Sequence, residues 1–247
     1  MFLSDLILQD LKLFTILNLN IFEIFMKVIG IIPARGGSKS VPLKNIKKLN
    51  GKPLIEYTIE TALSAKGIDD LILSTDNLKI INIAKKYKDL IIIKRPKKIS
   101  NDKSSTEECL IHACKYMEKF YRKSYDAVLT LEPTSPFRKK LTIEKCIKEI
   151  KNKDIDSVVS VVECRSIYGK VEKNIFKHLF KNQSRRRQER KLLYRESSTI
   201  WGTKLPILLN KHSVIGSKPF PIIVGEREAI DINSEFDFIT AEAQMKL

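Results

Sequence analysis

From Lys27 onward, short β-branched runs alternate with segments whose apolar residues recur every three or four positions. That alternation admits few folds, because parallel strands joined by helical crossovers must be covered on both faces. Lys27 to Ile32 reads as a first strand ended by Pro33, and Leu54 to Leu63 as a helix with Gly67 at its C-terminal cap. Strands at Leu71 to Ser74 and Leu90 to Ile93 flank a helix from Leu78 to Lys86. Ser105, with Glu108 three residues on, predicts a capping box opening a helix to about Tyr121. A strand at Ala127 to Leu131, a helix at Leu141 to Lys151 and a strand at Ser157 to Val162 continue the series. Glu163 to Ser198 is polar and basic, and reads as an excursion from the sheet. Thr199 to Thr203, Ile222 to Val224 and a helix from Ser234 return to it. The expectation is an α/β fold with a mostly parallel central sheet.

The 247 residues suit one such domain rather than two. Residues 26–247 form that domain in this reading. Residues 1–25 are apolar but broken by Asp5, Asp10, Lys12 and Glu23, and lack the form of a signal peptide or a membrane span, so they read as an extension or a misassigned start before Met26. Cys109, Cys114, Cys146 and Cys164 show no paired spacing and read as reduced, three of them in the core, which fits a cytoplasmic protein without a membrane partner. The net charge of +16 raises nucleic-acid binding, but the lysines are spread through nearly every segment. Only Arg185 to Arg187, followed by Arg190 and Lys191, form a concentrated run.

The first strand runs into Pro33-Ala34-Arg35-Gly36-Gly37-Ser38-Lys39. Two glycines let backbone N–H groups face phosphate oxygens while Arg35 and Lys39 offset the charge. The spacing is neither that of a Walker loop nor that of a dinucleotide fingerprint. Glu132 to Arg138 follows a predicted strand and so falls at a carboxyl edge, where open α/β sheets bind ligands. Asp231 and Asn233, two residues apart, would point to one side of an extended segment. Asp237 reads as a first-turn helix residue, Trp201 as core, and His112, His178 and His212 as structural or surface residues.

The run PARGGSKSVPLKN from Pro33 to Asn45, Ser74-Thr75-Asp76, Arg95-Pro96, EPTSPFR from Glu132 to Arg138, RRQ from Arg186 to Gln188 and Asp231-Ile232-Asn233 occur in one order. Together they resemble the acylneuraminate cytidylyltransferases, which are the CMP-sialic acid synthetases and their CMP-legionaminate and CMP-pseudaminate relatives. The resemblance implies a Rossmann-like nucleotide-diphospho-sugar transferase fold and a homodimer in which the excursion at residues 163–198 reaches the partner. It implies CTP and a sialic-type nonulosonic acid as substrates, with Mg²⁺ as cofactor. Arg35, Lys39 and Arg187 would be catalytic. Gly36, Gly37, Ser38, Lys44, Asn45, Arg95, Ser104 and Ser105 would join Arg35 and Lys39 around the nucleotide. Glu132, Thr134, Ser135, Gln188 and Arg195 would meet the sugar, and Asp231 and Asn233 the metal. Five residues depart from the family's usual ones: Glu132 stands for glutamine, Asn233 for aspartate, Ser197-Ser198 for Asn-Gly and Ser40 for glycine. The alternatives are the same chemistry on an eight-carbon sugar acid, or a basic nucleic-acid-binding protein.

Overall fold

The computed structural model describes residues 26–37 and 41–246. The extension at residues 1–25 lies outside them. Strand β1 (Val28–Pro33) is buried from Val28 to Ile32, so neither of its faces meets water. Its side chains divide by the two-residue strand period, with Ile29 and Ile31 in one core and Val28 and Ile32 in the other. Such a strand needs cover on both sides, and the remaining elements supply it.

After β1 come a 3-10 turn (Lys44–Ile46), a small hairpin of β2 (Lys48–Leu49) and β3 (Lys52–Pro53), and helix α1 (Leu54–Ser64). Then follow β4 (Asp70–Thr75), α2 (Leu78–Ala84), β5 (Leu90–Lys94), α3 (Thr106–Tyr121), β6 (Ala127–Thr130), α4 (Lys140–Ile150) and β7 (Ser157–Cys164). A second hairpin, β8 (Gly169–Glu172) and β9 (Ile175–His178), precedes β10 (Leu193–Lys204), α5 (Leu205–Lys211), β11 (Pro219–Val224) and α6 (Glu235–Met245). Seven strands form the main sheet in the order β11-β7-β10-β6-β1-β4-β5. Strand β10 is antiparallel to both neighbours, and the other pairings are parallel. Ile55 and Ile59 of α1 join Ile143 and Ile147 of α4 against one face, while Leu110, Ala113 and Met117 of α3 cover the other. The α/β expectation is met.

The capping box holds: the Glu108 N–H donates to Ser105 Oγ at 3.2 Å, and the Ser105 N–H to Glu108 Oε2 at 3.1 Å. Asp237 forms the equivalent box with Ser234 at the start of α6, so it is a capping residue. Gly67 is not a cap, because α1 ends on Ala65 and Gly67 supplies a left-handed turn further on. The excursion is shorter than the polar composition suggested. Leu193 already pairs with Cys164, and the charges of Arg195 and Glu196 occupy exposed positions of a genuine strand. Trp201 is half-buried rather than core, its indole donating to Glu196 Oε1 at 2.7 Å. Cys109, Cys114 and Cys146 are buried thiols as expected. Among the described residues no helix is long and apolar enough to cross a membrane.

Asp156 ties the segment before β11 to the start of β7. Its carboxylate accepts from the backbone N–H groups of Ser217 and Lys218 at 2.7 and 2.9 Å and from Ser217 Oγ at 2.8 Å. A Cβ at Gly216 would lie 2.3 Å from this carboxylate, so only glycine lets the chain pass so closely. Partial burial opposes ionisation, but the hydrogen bonds led by Lys218 outweigh it and hold the carboxyl at about 2. A carboxyl depressed on folding stabilises fully above its unfolded value near 3.9 and loses that contribution as pH falls toward 2. Asp156→Asn is expected to remove about 1–2 kcal/mol at pH 7, a figure reduced for solvent screening, and a clearly smaller amount at pH 2.5. Urea unfolding of both proteins at pH 7 and pH 2.5 measures it.

Candidate active site

Because β1, β4, β5 and β6 are parallel, their carboxyl ends meet at one edge. Pro33 ends β1, Arg95 and Glu132 follow β5 and β6, and with Thr134 from the same turn they line a cleft. Arg35, Gly37, Lys44 and Asn45 form the wall that follows β1, and Ser104, Ser105 and Thr106 bring the start of α3 to the same cleft. Nine residues proposed from the sequence are thereby brought together. Ser38 and Lys39 fall outside the described residues.

The side formed by the loop after β1 is cationic and tightly held. The Arg35 guanidinium donates to Asp102 Oδ1 at 2.7 Å while remaining partly exposed, and the Asn45 amide donates to the Arg35 carbonyl at 3.1 Å. Arg95 is buried, and it donates to Ser74 Oγ at 3.2 Å and to the Ser74 carbonyl at 2.7 Å. The positive end of the 16-residue helix α3 faces the same space. Gly36 behaves differently from Gly37. Its N–H donates to Asp76 Oδ1 at 2.8 Å, so the amide is engaged beneath the loop.

The opposite side is built on Arg138, which the sequence reading did not single out. This buried guanidinium donates to the Glu132 carbonyl at 2.7 Å, to Thr58 Oγ1 at 3.1 Å and to the Thr199 carbonyl, fixing the turn that carries Glu132. Its only sequence signal was a charged residue inside an otherwise rigid Pro-Phe turn. Burial and then the nearby Asp231 charge push the Glu132 carboxyl up to about 7, against the pull of Arg138, Lys44 and Arg95. Lys44 donates to the Ile232 carbonyl at 2.7 Å and to Asn233 Oδ1 at 3.1 Å, and burial lowers its ammonium against the attraction of Asp231 and Glu132. The Asn233 amide donates to Asp231 Oδ2 at 2.6 Å, so the two side chains do share a side. Asp231 Oδ1 is buried and has no hydrogen-bond partner.

A family model described as cytidylyltransferase matches residues 29–246. The chain belongs to the cytidylyltransferase family. It is 33% identical over 234 residues to the CMP-N,N'-diacetyllegionaminic acid synthase of Legionella pneumophila, covering 90% of this chain and 97% of that protein. It is 29% identical over 221 residues to an N-acylneuraminate cytidylyltransferase of Streptococcus agalactiae, covering 87% of this chain and 52% of that protein. Among solved structures, the CMP:2-keto-3-deoxy-manno-octonic acid synthetase complexed with CTP superposes with a TM-score of 0.65 at 16% identity, covering 89% of this chain and 98% of that one. At that identity the likeness speaks for the fold.

Within this cytidylyltransferase, some proposed residues lie away from the cleft. Ser135 is buried with its hydroxyl donating to the Ser198 carbonyl at 3.0 Å, so it braces the turn from behind. Arg187 and Gln188 occupy an exposed 3-10 turn (Arg187–Glu189) in the excursion, with Arg187 3.6 Å from Glu226. Arg195 is exposed on β10. The neighbouring Arg190 donates to the carbonyls of Ser184, Arg165 and Arg185, so part of the basic run holds the excursion together.

Proposed function

We infer that the chain transfers CMP from CTP to the anomeric C2 hydroxyl of a nonulosonic acid of the sialic, legionaminic or pseudaminic type. The observation that carries this reading is one cleft lined by Arg35, Lys44 and the start of α3 together with Glu132 and Thr134. One half suits a triphosphate and the other a polyhydroxylated sugar. The names of the two relatives support the choice of sugar class, whereas the eight-carbon alternative rests on fold likeness alone.

The sugar hydroxyl oxygen would bond to the α-phosphorus in line as the bond to the β-phosphate oxygen breaks, releasing pyrophosphate and the hydroxyl proton. Such a reaction needs positioning and charge neutralisation more than covalent help. Arg35 and Lys44 would take the phosphate charge, and Asn45, Arg95, Ser104 and Ser105 the ribose and base. Ser38 and Lys39 would extend the same loop.

Magnesium fits Asp231 through its buried, unpartnered Oδ1, and it fits Asn233 less well because that residue's oxygen already accepts from Lys44. Among the described residues no three potential His, Cys, Asp or Glu ligands cluster, so phosphate oxygens would complete the shell, as is usual for this ion. When bound, it would supply further charge neutralisation on the phosphates.

Homodimerisation belongs to this reading, since Arg187, Gln188 and Arg195 could then serve a partner's cleft. Exposed Val171, Ile175 and Phe176 on the β8–β9 hairpin support it. A cytoplasmic location, where CTP is available, completes it. Purified protein with CTP, Mg²⁺ and a panel of nonulosonic acids, scored by pyrophosphate release, is expected to show at least one sugar turned over far above the eight-carbon acid. Turnover of the eight-carbon acid alone would overturn the assignment.

A further inference from the structure

The four residues Ser74 to Asn77 at the end of β4 receive hydrogen bonds from both walls of the nucleotide side. The Ala34 N–H and the Arg95 guanidinium share the Ser74 carbonyl, at 3.0 and 2.7 Å. The Arg95 N–H donates to the Thr75 carbonyl at 2.8 Å. Asn77 accepts from the Lys79 and Ile80 N–H groups at 2.8 and 3.3 Å, capping α2, while its own N–H donates to Thr75 Oγ1 at 3.2 Å. The turn is therefore rigid, and it carries one carboxylate.

That carboxylate is Asp76, 2.8 Å from the Gly36 N–H. A negative charge beside a loop built for phosphate opposes the ligand unless it does something else there. Its partner explains it. Gly36 sits so close to the turn that a Cβ would lie 2.4 Å from Asn77 Nδ2, and the charge-assisted bond to Asp76 holds the glycine in that contact. Arg35 and Gly37, which do line the cleft, flank the clamped amide on either side.

We propose that Asp76 is a positioning residue: by fixing the Gly36 amide it sets where Arg35 and Gly37 meet the nucleotide. The inference rests on the nucleotide reading of this cleft. It assigns Asp76 no contact with CTP or sugar.

Steady-state kinetics of Asp76→Ala, Asp76→Asn and Gly36→Ala test it, with each substrate varied in turn. Asp76→Ala is expected to raise KM for CTP about 10-fold or more, as loss of a charge-assisted bond predicts, with KM for the sugar changed less than about twofold. Asp76→Asn keeps an oxygen that can accept from Gly36 and is expected to recover most of the loss. Gly36→Ala leaves Asp76 in place but drives the loop off Asn77, and the same CTP-selective defect is expected. In an Arg35→Ala background Asp76→Ala is expected to add little, because both act through one contact. Should Asp76→Ala leave KM for CTP unchanged, raise both KM values equally, or add its full effect in the Arg35→Ala background, the proposal is overturned. An Asp76→Asn variant as poor as the alanine variant would overturn it as well. If the unsubstituted protein shows no CTP turnover, it is the nucleotide reading that fails.

Discussion

Arg35→Ala is expected to lower kcat/KM for CTP about 10²- to 10³-fold, the scale seen when one preorganised charge partner of a transition state is removed. The fold should hardly notice. The Arg35 side chain is 37% exposed, and its ion pair with Asp102 is of the surface kind, worth about 0.2–1 kcal/mol. Activity and stability therefore separate at this position, whereas a residue bracing the core would lose both. Arg35→Lys keeps the charge but loses the forked geometry that grips phosphate oxygens, so partial recovery is expected. Pyrophosphate-release kinetics beside thermal melting measure both quantities. A variant that melts early and loses activity in proportion would contradict this assignment.

Glu132→Gln is expected to make the ligand-free protein more stable at pH 8. The Glu132 carboxyl lies at about 7 in the fold, well above the 4.3 of an unfolded chain. Below about pH 4 the side chain is neutral in both states and carries no penalty. As pH rises to 7 the unfolded chain ionises first, and above 7 the ionised, half-buried Glu132 costs the fold on the order of 3 kcal/mol. Glutamine keeps the shape without the charge, so its advantage should be largest at pH 8 and fade toward pH 4. Urea unfolding at these two pH values reads the difference directly. An equal gain at both would mean that packing, not charge, is responsible. A carboxylate retained at such a cost points to a use on the sugar side, where accepting from a hydroxyl or amino group would stabilise the charge, and the same variant assayed on several sugars would shift their order of preference.

Much of the fold was legible because β1, β4, β5 and β6 are short, β-branched and separated by segments of helical period. The strand missed at its start, β10, has Arg195 and Glu196 on exposed positions of an antiparallel strand, where period and composition disagree. The site was legible where motifs follow strand ends, since a parallel sheet gathers Arg35, Arg95 and Glu132 without further information. What could not be read were contacts made by folding alone. Asp76 turns toward Gly36 and Arg138 reaches Thr58 and Thr199 across long stretches of chain, and although both residues lie in motifs, nothing local shows these partners. Arg187, Gln188 and Arg195 were named from motif resemblance, and one chain by itself does not bring them to its cleft.

The most direct test is phosphorus NMR of the purified protein incubated with CTP, Mg²⁺ and a diacetyllegionaminic-type acid. The account predicts that the three CTP resonances give way to one phosphodiester resonance of a CMP-sugar and an equimolar signal of pyrophosphate, both dependent on the sugar. CTP left intact with every nonulosonic acid offered, or hydrolysed regardless of sugar, would contradict it.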